Sequence, residues 1–68
     1  MRTNLKIFRV KQNLTQEQFA KEIGYERSSY ADVENGKREP SMRFCKAISE
    51  AYGVPLTEVV EMMQNDED

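Results

Sequence analysis

Apolar residues along the chain come in short groups spaced three and four apart, separated by polar or glycine-bearing stretches. That spacing predicts helices. Leu5 and Phe8, with Ile7 beside them, place a first helix at residues 4–12. Asn13 is a fitting stop, because asparagine tolerates the left-handed backbone that closes helices. Thr15 then caps a second helix, and Gln18 three residues on completes a Thr-x-x-Gln capping box. Phe19, Ala20 and Ile23 form its apolar stripe, which Gly24 ends after two turns.

A third helix begins at residue 26 or 27 and runs to 34, with Tyr30 and Val33 turned inward and Asn35-Gly36 as a strong turn signal. Lys37-Arg38-Glu39-Pro40 reads as a loop. Ser41 then caps a fourth helix carrying Met42, Cys45, Ile48, Ala51 and Tyr52 at helical spacing. After the break Gly53-Val54-Pro55, Leu56, Val59, Val60 and Met63 make the stripe of a fifth helix. Residues 64–68 read as frayed. No alternating strand pattern and no hairpin signal appears. The expected class is all-α, five short helices, with one domain at residues 1–64 and an acidic tail at 65–68.

Composition narrows what such a chain can do. A domain of 68 residues buries only about 60% of its unfolded surface, too little to enclose a large cofactor, and none is expected. One cysteine permits no internal disulfide and fits a reducing cytoplasm; with histidine absent, no common zinc site is expected. No Ser/His or Cys/His pair can form, so an enzyme is not expected. No apolar run approaches the ~20 residues of a membrane span, and no membrane partner is expected. Cys45 and Met63 read as core, although Met62 and Met63 are also candidates for a partner surface.

Charge adds one feature. The net charge of −2 divides unevenly: residues 1–49 hold all ten basic residues and six acids, whereas residues 50–68 hold six acids and no base. Either one surface faces a polyanion, or the acids are a solvated end on an ordinary surface.

Residues 16–35 are the informative segment. Two short helices meet at a turn holding Gly24, with the small Ala20 four positions before it and Phe19, Ile23, Tyr25, Tyr30 and Val33 at apolar positions in register. A helix-turn-helix crosses two helices at roughly 90–120°, which demands a small residue at the crossing and a permissive residue in the turn.

The runs Leu14-Thr15-Gln16-Glu17-Gln18-Phe19-Ala20, Ile23-Gly24 and Val33-Glu34-Asn35-Gly36-Lys37-Arg38-Glu39-Pro40-Ser41 resemble the phage repressor/Cro (XRE) helix-turn-helix family. Ala51-Tyr52-Gly53-Val54-Pro55-Leu56 resembles that family's link into its last helix. The likeness covers residues 4–62. It implies a lambda-repressor-like bundle in which helices 2 and 3 form the motif and residues 27–34 enter the major groove of double-stranded DNA. Arg27, Ser28, Ala31 and Asp32 are then the base-contacting positions: arginine forks onto guanine, serine reaches most base edges, alanine meets a thymine methyl and aspartate accepts from cytosine. The competing roles are a phosphate contact for Arg27 and a local ion pair for Asp32.

The same resemblance places Gln16 and Ser29 on the DNA backbone, with Asn35, Lys37, Arg38 and Arg43 around the turn after the recognition helix. Physics agrees for Gln16, since a helix N-terminus favours an anion. Arg9 and Glu34 match positions that pair as an internal salt bridge. Val54, Pro55, Leu56, Val60 and Met62 are the possible dimer contact, the alternative being that they only finish the core. Tyr30 and Tyr52 stand where the family usually carries aliphatic residues, and each needs a partner for its hydroxyl. Glu26 and Asp32 lower the positive potential of the recognition helix.

The function implied is a sequence-specific transcriptional regulator, with repression the expected action, working as a homodimer on a palindrome and without a small-molecule effector. The alternative is a protein-interaction module, such as an antitoxin or adaptor, that binds DNA weakly.

Overall fold

The computed structural model describes residues 1–66; Glu67 and Asp68, the end of the expected tail, lie outside the described residues. Five helices and no strand occur among the described residues: α1 (Thr3–Lys11), α2 (Gln16–Glu22), α3 (Arg27–Glu34), α4 (Met42–Tyr52) and α5 (Leu56–Met62). The first helix sits one residue earlier than its apolar spacing suggests, with Gln12 as its C-cap and Asn13 in the left-handed conformation at φ 61°. The capping box at α2 is complete: the Gln18 N–H donates to Thr15 Oγ1 at 3.1 Å, and the Thr15 N–H donates to Gln18 Oε1 at 2.9 Å. Ser41 caps α4 by accepting from the Phe44 N–H at 3.1 Å.

The core lies where all five helices converge. Leu5, Phe19, Ala20, Tyr30, Ile48 and Val59 are fully enclosed, and Val33, Phe44 and Cys45 nearly so. Tyr52 stacks flat on Phe19, with centroids 5.3 Å apart and planes 3° from parallel, while Phe8 meets both rings edge-on. The Tyr52 hydroxyl is buried and has no hydrogen-bond partner among the described residues. Burial pushes the Cys45 thiol upward, consistent with a packing residue and not a reactive one.

Two helices present a different face from the one their apolar residues suggest. On α4, Met42 is 53% exposed and Ala51 is exposed, while Phe44 joins Cys45 and Ile48 inside. Phe44, Cys45, Ile48 and Tyr52 share one arc of the helix, and Met42 falls outside it. On α5, Val59 and Met63 lie one above the other at i and i+4 and fill the core, which turns Val60 about 100° away to 44% exposure. Ile7 and Val10 of α1 face out for the same reason, leaving Leu5 as its buried anchor.

Candidate nucleic-acid interface

The crossing of α2 and α3 is made by the residues between them. Gly24 takes φ 78°, a left-handed conformation that costs glycine nothing, and the Tyr25 N–H reaches back to the Ala20 carbonyl at 2.8 Å. Ala20 is fully buried at this point, so any larger side chain would force the helices apart. On α3 the inward line is Tyr30, Val33 and Glu34. The outward line starts with Arg27 and Ser28, both exposed, and continues with half-buried Ala31 and Asp32.

Glu34 is the electrostatic centre of the arrangement. It is 1% exposed and accepts from Arg9 Nε at 2.9 Å, Arg9 Nη2 at 3.2 Å, the Tyr30 hydroxyl at 2.7 Å and Gln16 Nε2 at 3.0 Å. Burial alone would raise its carboxyl, but the donors from Arg9, Tyr30 and Gln16 outweigh that and hold it below the usual carboxylate range. Burial, with the bond to Glu34 second, pushes the Tyr30 hydroxyl well upward, so it stays a donor. Gln16, at the first position of α2, therefore stands with its amide nitrogen turned toward Glu34.

After α3 the backbone is largely occupied. The Asn35 and Gly36 N–H groups bond Ala31 and Val33 carbonyls, and those of Lys37 and Arg38 both donate to the Asp32 carbonyl, at 2.8 and 3.1 Å. The side chains of Asn35, Lys37 and Arg38 remain exposed, while the first four main-chain N–H groups of the loop are already bonded. Ser29 and Arg38 meet across a groove of about 250 Å³ floored by Val33 and Phe44. Arg43 is exposed and lines a cavity of about 400 Å³ against Gly24 and Tyr25, on the side of the α2–α3 turn. Exposed basic side chains thus occur at the start of α3, in the loop after it and near the start of α4, with the exposed acid Glu39 among them.

A helix-turn-helix family model matches residues 5–59. The chain belongs to the XRE-type helix-turn-helix family of DNA-binding transcriptional regulators. It is 36% identical over 59 residues to an uncharacterized HTH-type transcriptional regulator of Methanocaldococcus jannaschii, covering 87% of this chain and 89% of that protein. It is 34% identical to the control protein C.MunI of Mycoplasma, covering 90% of this chain and 82% of that protein. It is 31% identical to the cryptic phage CTXphi transcriptional repressor RstR of Vibrio cholerae, covering 85% of this chain and 52% of that protein. No solved structure gives a significant match.

Within this helix-turn-helix frame, Val54, Leu56 and Met62 are half-buried and pack against the core, whereas Pro55 and Val60 are exposed. No helix of the described residues is long and apolar enough to cross a membrane. One residue of consequence goes unmarked by any motif or stripe: Arg2 is 1% exposed and bonds the end of α3, the following loop and the end of α5. Its acceptors are backbone carbonyls, which leave no trace in side-chain patterning.

Proposed function

We propose that this helix-turn-helix regulator inserts α3 into the major groove of double-stranded DNA, with Arg27, Ser28, Ala31 and Asp32 at the base edges. Gln16, Ser29, Asn35, Lys37, Arg38 and Arg43 hold the sugar–phosphate backbone and set the register. The observation that carries this reading is the division of α3: Tyr30, Val33 and Glu34 are locked into the fold, and Arg27 and Ser28 are left outward at its N-terminal end. That is the end a recognition helix presents to base edges. The exposure of Lys37, Arg38 and Arg43 supports the backbone assignments, since guanidinium and ammonium groups supply phosphate contacts.

A single domain reads few base pairs, so a homodimer is proposed, with half-sites about 34–36 Å apart on a palindrome. Exposed Pro55 and Val60, with Val54, Leu56 and Met62 behind them, are the proposed contact. Repression is the proposed action, in keeping with the phage repressor among its relatives. The protein is proposed to act in the cytoplasm, without an enzymatic activity, a cofactor or a small-molecule effector.

Selection of duplexes from a random library at near-physiological salt, run beside the Gln16→Ala/Arg27→Ala double variant, tests this reading. The expected result is a two-fold-symmetric site enriched by the wild type and lost in the variant. Folded wild-type protein that enriches nothing would instead indicate a protein-interaction module.

A further inference from the structure

Arg2 heads the fully enclosed side chains of the described residues by volume, yet its guanidinium does not pair with the buried Glu34 carboxylate, which Arg9 holds. Its Nε donates to the Met63 carbonyl at 2.6 Å, and its Nη1 to the Val33 carbonyl at 2.7 Å and the Arg38 carbonyl at 3.1 Å. Its own backbone N–H donates to the Glu34 carbonyl at 2.7 Å. The ion pair to Glu39 spans 3.5 Å to a carboxylate that is 92% exposed, and a solvated partner of that kind contributes little. The buried cation is therefore held by carbonyls from three segments. Two of them, Val33 and Met63, lie at helix C-terminal ends, where the negative end of the dipole collects, and the Val33 carbonyl also accepts from the Gly36 N–H at 3.1 Å.

The rest of the N-terminus continues the clasp. The Met1 amine donates to Asn65 Oδ1 at 2.9 Å, Asn65 Nδ2 reaches the Gly36 carbonyl at 3.4 Å, and the Asp66 N–H donates to the Met1 carbonyl at 3.0 Å. Thr3 Oγ1 donates to Asp66 Oδ2. The loop at residues 35–39 is thus pinned from beneath on both sides: its Lys37 and Arg38 N–H groups on the Asp32 carbonyl, its Arg38 carbonyl on Arg2.

We propose that Arg2 is a positioning residue for the DNA-backbone contacts of Lys37 and Arg38, an inference that rests on the DNA-binding reading above. Lys37 and Arg38 are exposed on a loop with no helix or strand of its own, so free movement would have to be suppressed on binding, at a loss in affinity. Arg2 removes that freedom beforehand. It fixes the loop against the end of α3, so phosphate-holding and base-reading side chains meet one duplex in register. Lysine at this position keeps the charge but not the planar fork that spans the Val33, Arg38 and Met63 carbonyls together.

The test compares wild type, Arg2→Lys and Arg2→Met, each at a temperature where circular dichroism shows native helicity, on a random-sequence duplex and on a selected site over a range of salt. Arg2→Lys is expected to bind both duplexes about tenfold more weakly and to flatten the dependence of log K on log salt by about one to two, with base preference unchanged. Adding Lys37→Ala and Arg38→Ala should weaken the wild type clearly and the Arg2→Lys protein hardly at all. Additive losses, or weaker binding with an unaltered salt slope, overturn the proposal. If Arg2→Met fails to fold, Arg2→Lys carries the test through hydrogen exchange: faster exchange confined to the Lys37 and Arg38 amides supports positioning, and acceleration spread equally over α2 and α3 overturns it. A wild type with no salt-dependent duplex affinity defeats the DNA-binding reading and this inference together, whereas binding wild type with additive variants defeats only the inference.

Discussion

Glu34 receives Arg9 with both carboxylate oxygens, Nε on one at 2.9 Å and Nη2 on the other at 3.2 Å, and so ties the end of α3 to α1. Arg9 extends the tie by donating from Nη1 to the Leu14 carbonyl at 2.7 Å, just ahead of α2. Three helices are therefore oriented around one carboxylate, which the Tyr30 hydroxyl and the Gln16 amide also reach. A buried charge is tolerated when its remaining lone pairs are satisfied, and here they are.

That arrangement makes stability depend on acid. The folded Glu34 carboxyl is depressed, so the unfolded chain takes up a proton more readily than the folded one. Its contribution is complete above the usual carboxylate value of 4.5 and is lost as pH falls through the lower folded value. Urea unfolding should give similar stabilities at neutral pH and pH ~5 and a decline below pH ~4.5. Glu34→Gln should flatten that decline. Glu34→Ala, which strands Arg9 and Tyr30, should lose about 3–5 kcal/mol at neutral pH. An unchanged acid limb in Glu34→Gln would place the proton-linked carboxylate elsewhere.

Thr15→Ala removes the acceptor for the Gln18 N–H and opens the capping box of α2. Because the box is exposed and the helix is only seven residues long, the loss should be about 1 kcal/mol, without change in the native spectrum. Denaturant midpoints at constant slope measure it.

Gly36 and Gly24 both adopt positive φ, 83° and 78°, but their surroundings differ. A Cβ at Gly24 would meet open space. At Gly36 it would stand 2.8 Å from Asn65 Nδ2 and 3.0 Å from the Met1 nitrogen, inside the clasp around Arg2. Gly24→Ala should thus show the conformational cost alone, about 1 kcal/mol. Gly36→Ala should exceed it, and equal losses in thermal unfolding would mean that the N-terminus is not held there in solution.

The helix-turn-helix is legible from local signals because each has a local cause. Thr15 and Gln18 cap by side chains three residues apart, Ala20 and Gly24 answer one crossing, and the polar Arg27 and Ser28 open α3 exposed while the apolar Tyr30 one turn on is buried. The α4 stripe of Met42, Cys45, Ile48, Ala51 and Tyr52 omits Phe44, because the phase of that helix is settled by what packs against it, here Tyr25 and Tyr30 on Phe44. Arg2 had no signal at all. Its role depends on three carbonyls that come together only when residues 33, 38 and 63 are folded onto the N-terminus.

The roles proposed for Arg27 and for Lys37 and Arg38 predict the sharpest contrast in DNA binding. Arg27 stands at the N-terminal end of α3 with no ion pair among the described residues to hold it back, and the exposed Lys37 and Arg38 side chains extend from a loop whose backbone is already bonded. Arg27→Ala should lower affinity for a selected site by about 1–3 kcal/mol and relax preference at one base pair. Lys37→Ala or Arg38→Ala should weaken every duplex alike and reduce the salt slope by about one. Competition binding against single-base variants of the selected site separates the two. If Arg27→Ala weakens all of those variants equally and lowers the salt slope, Arg27 holds a phosphate, and base reading shifts to Ser28, Ala31 and Asp32.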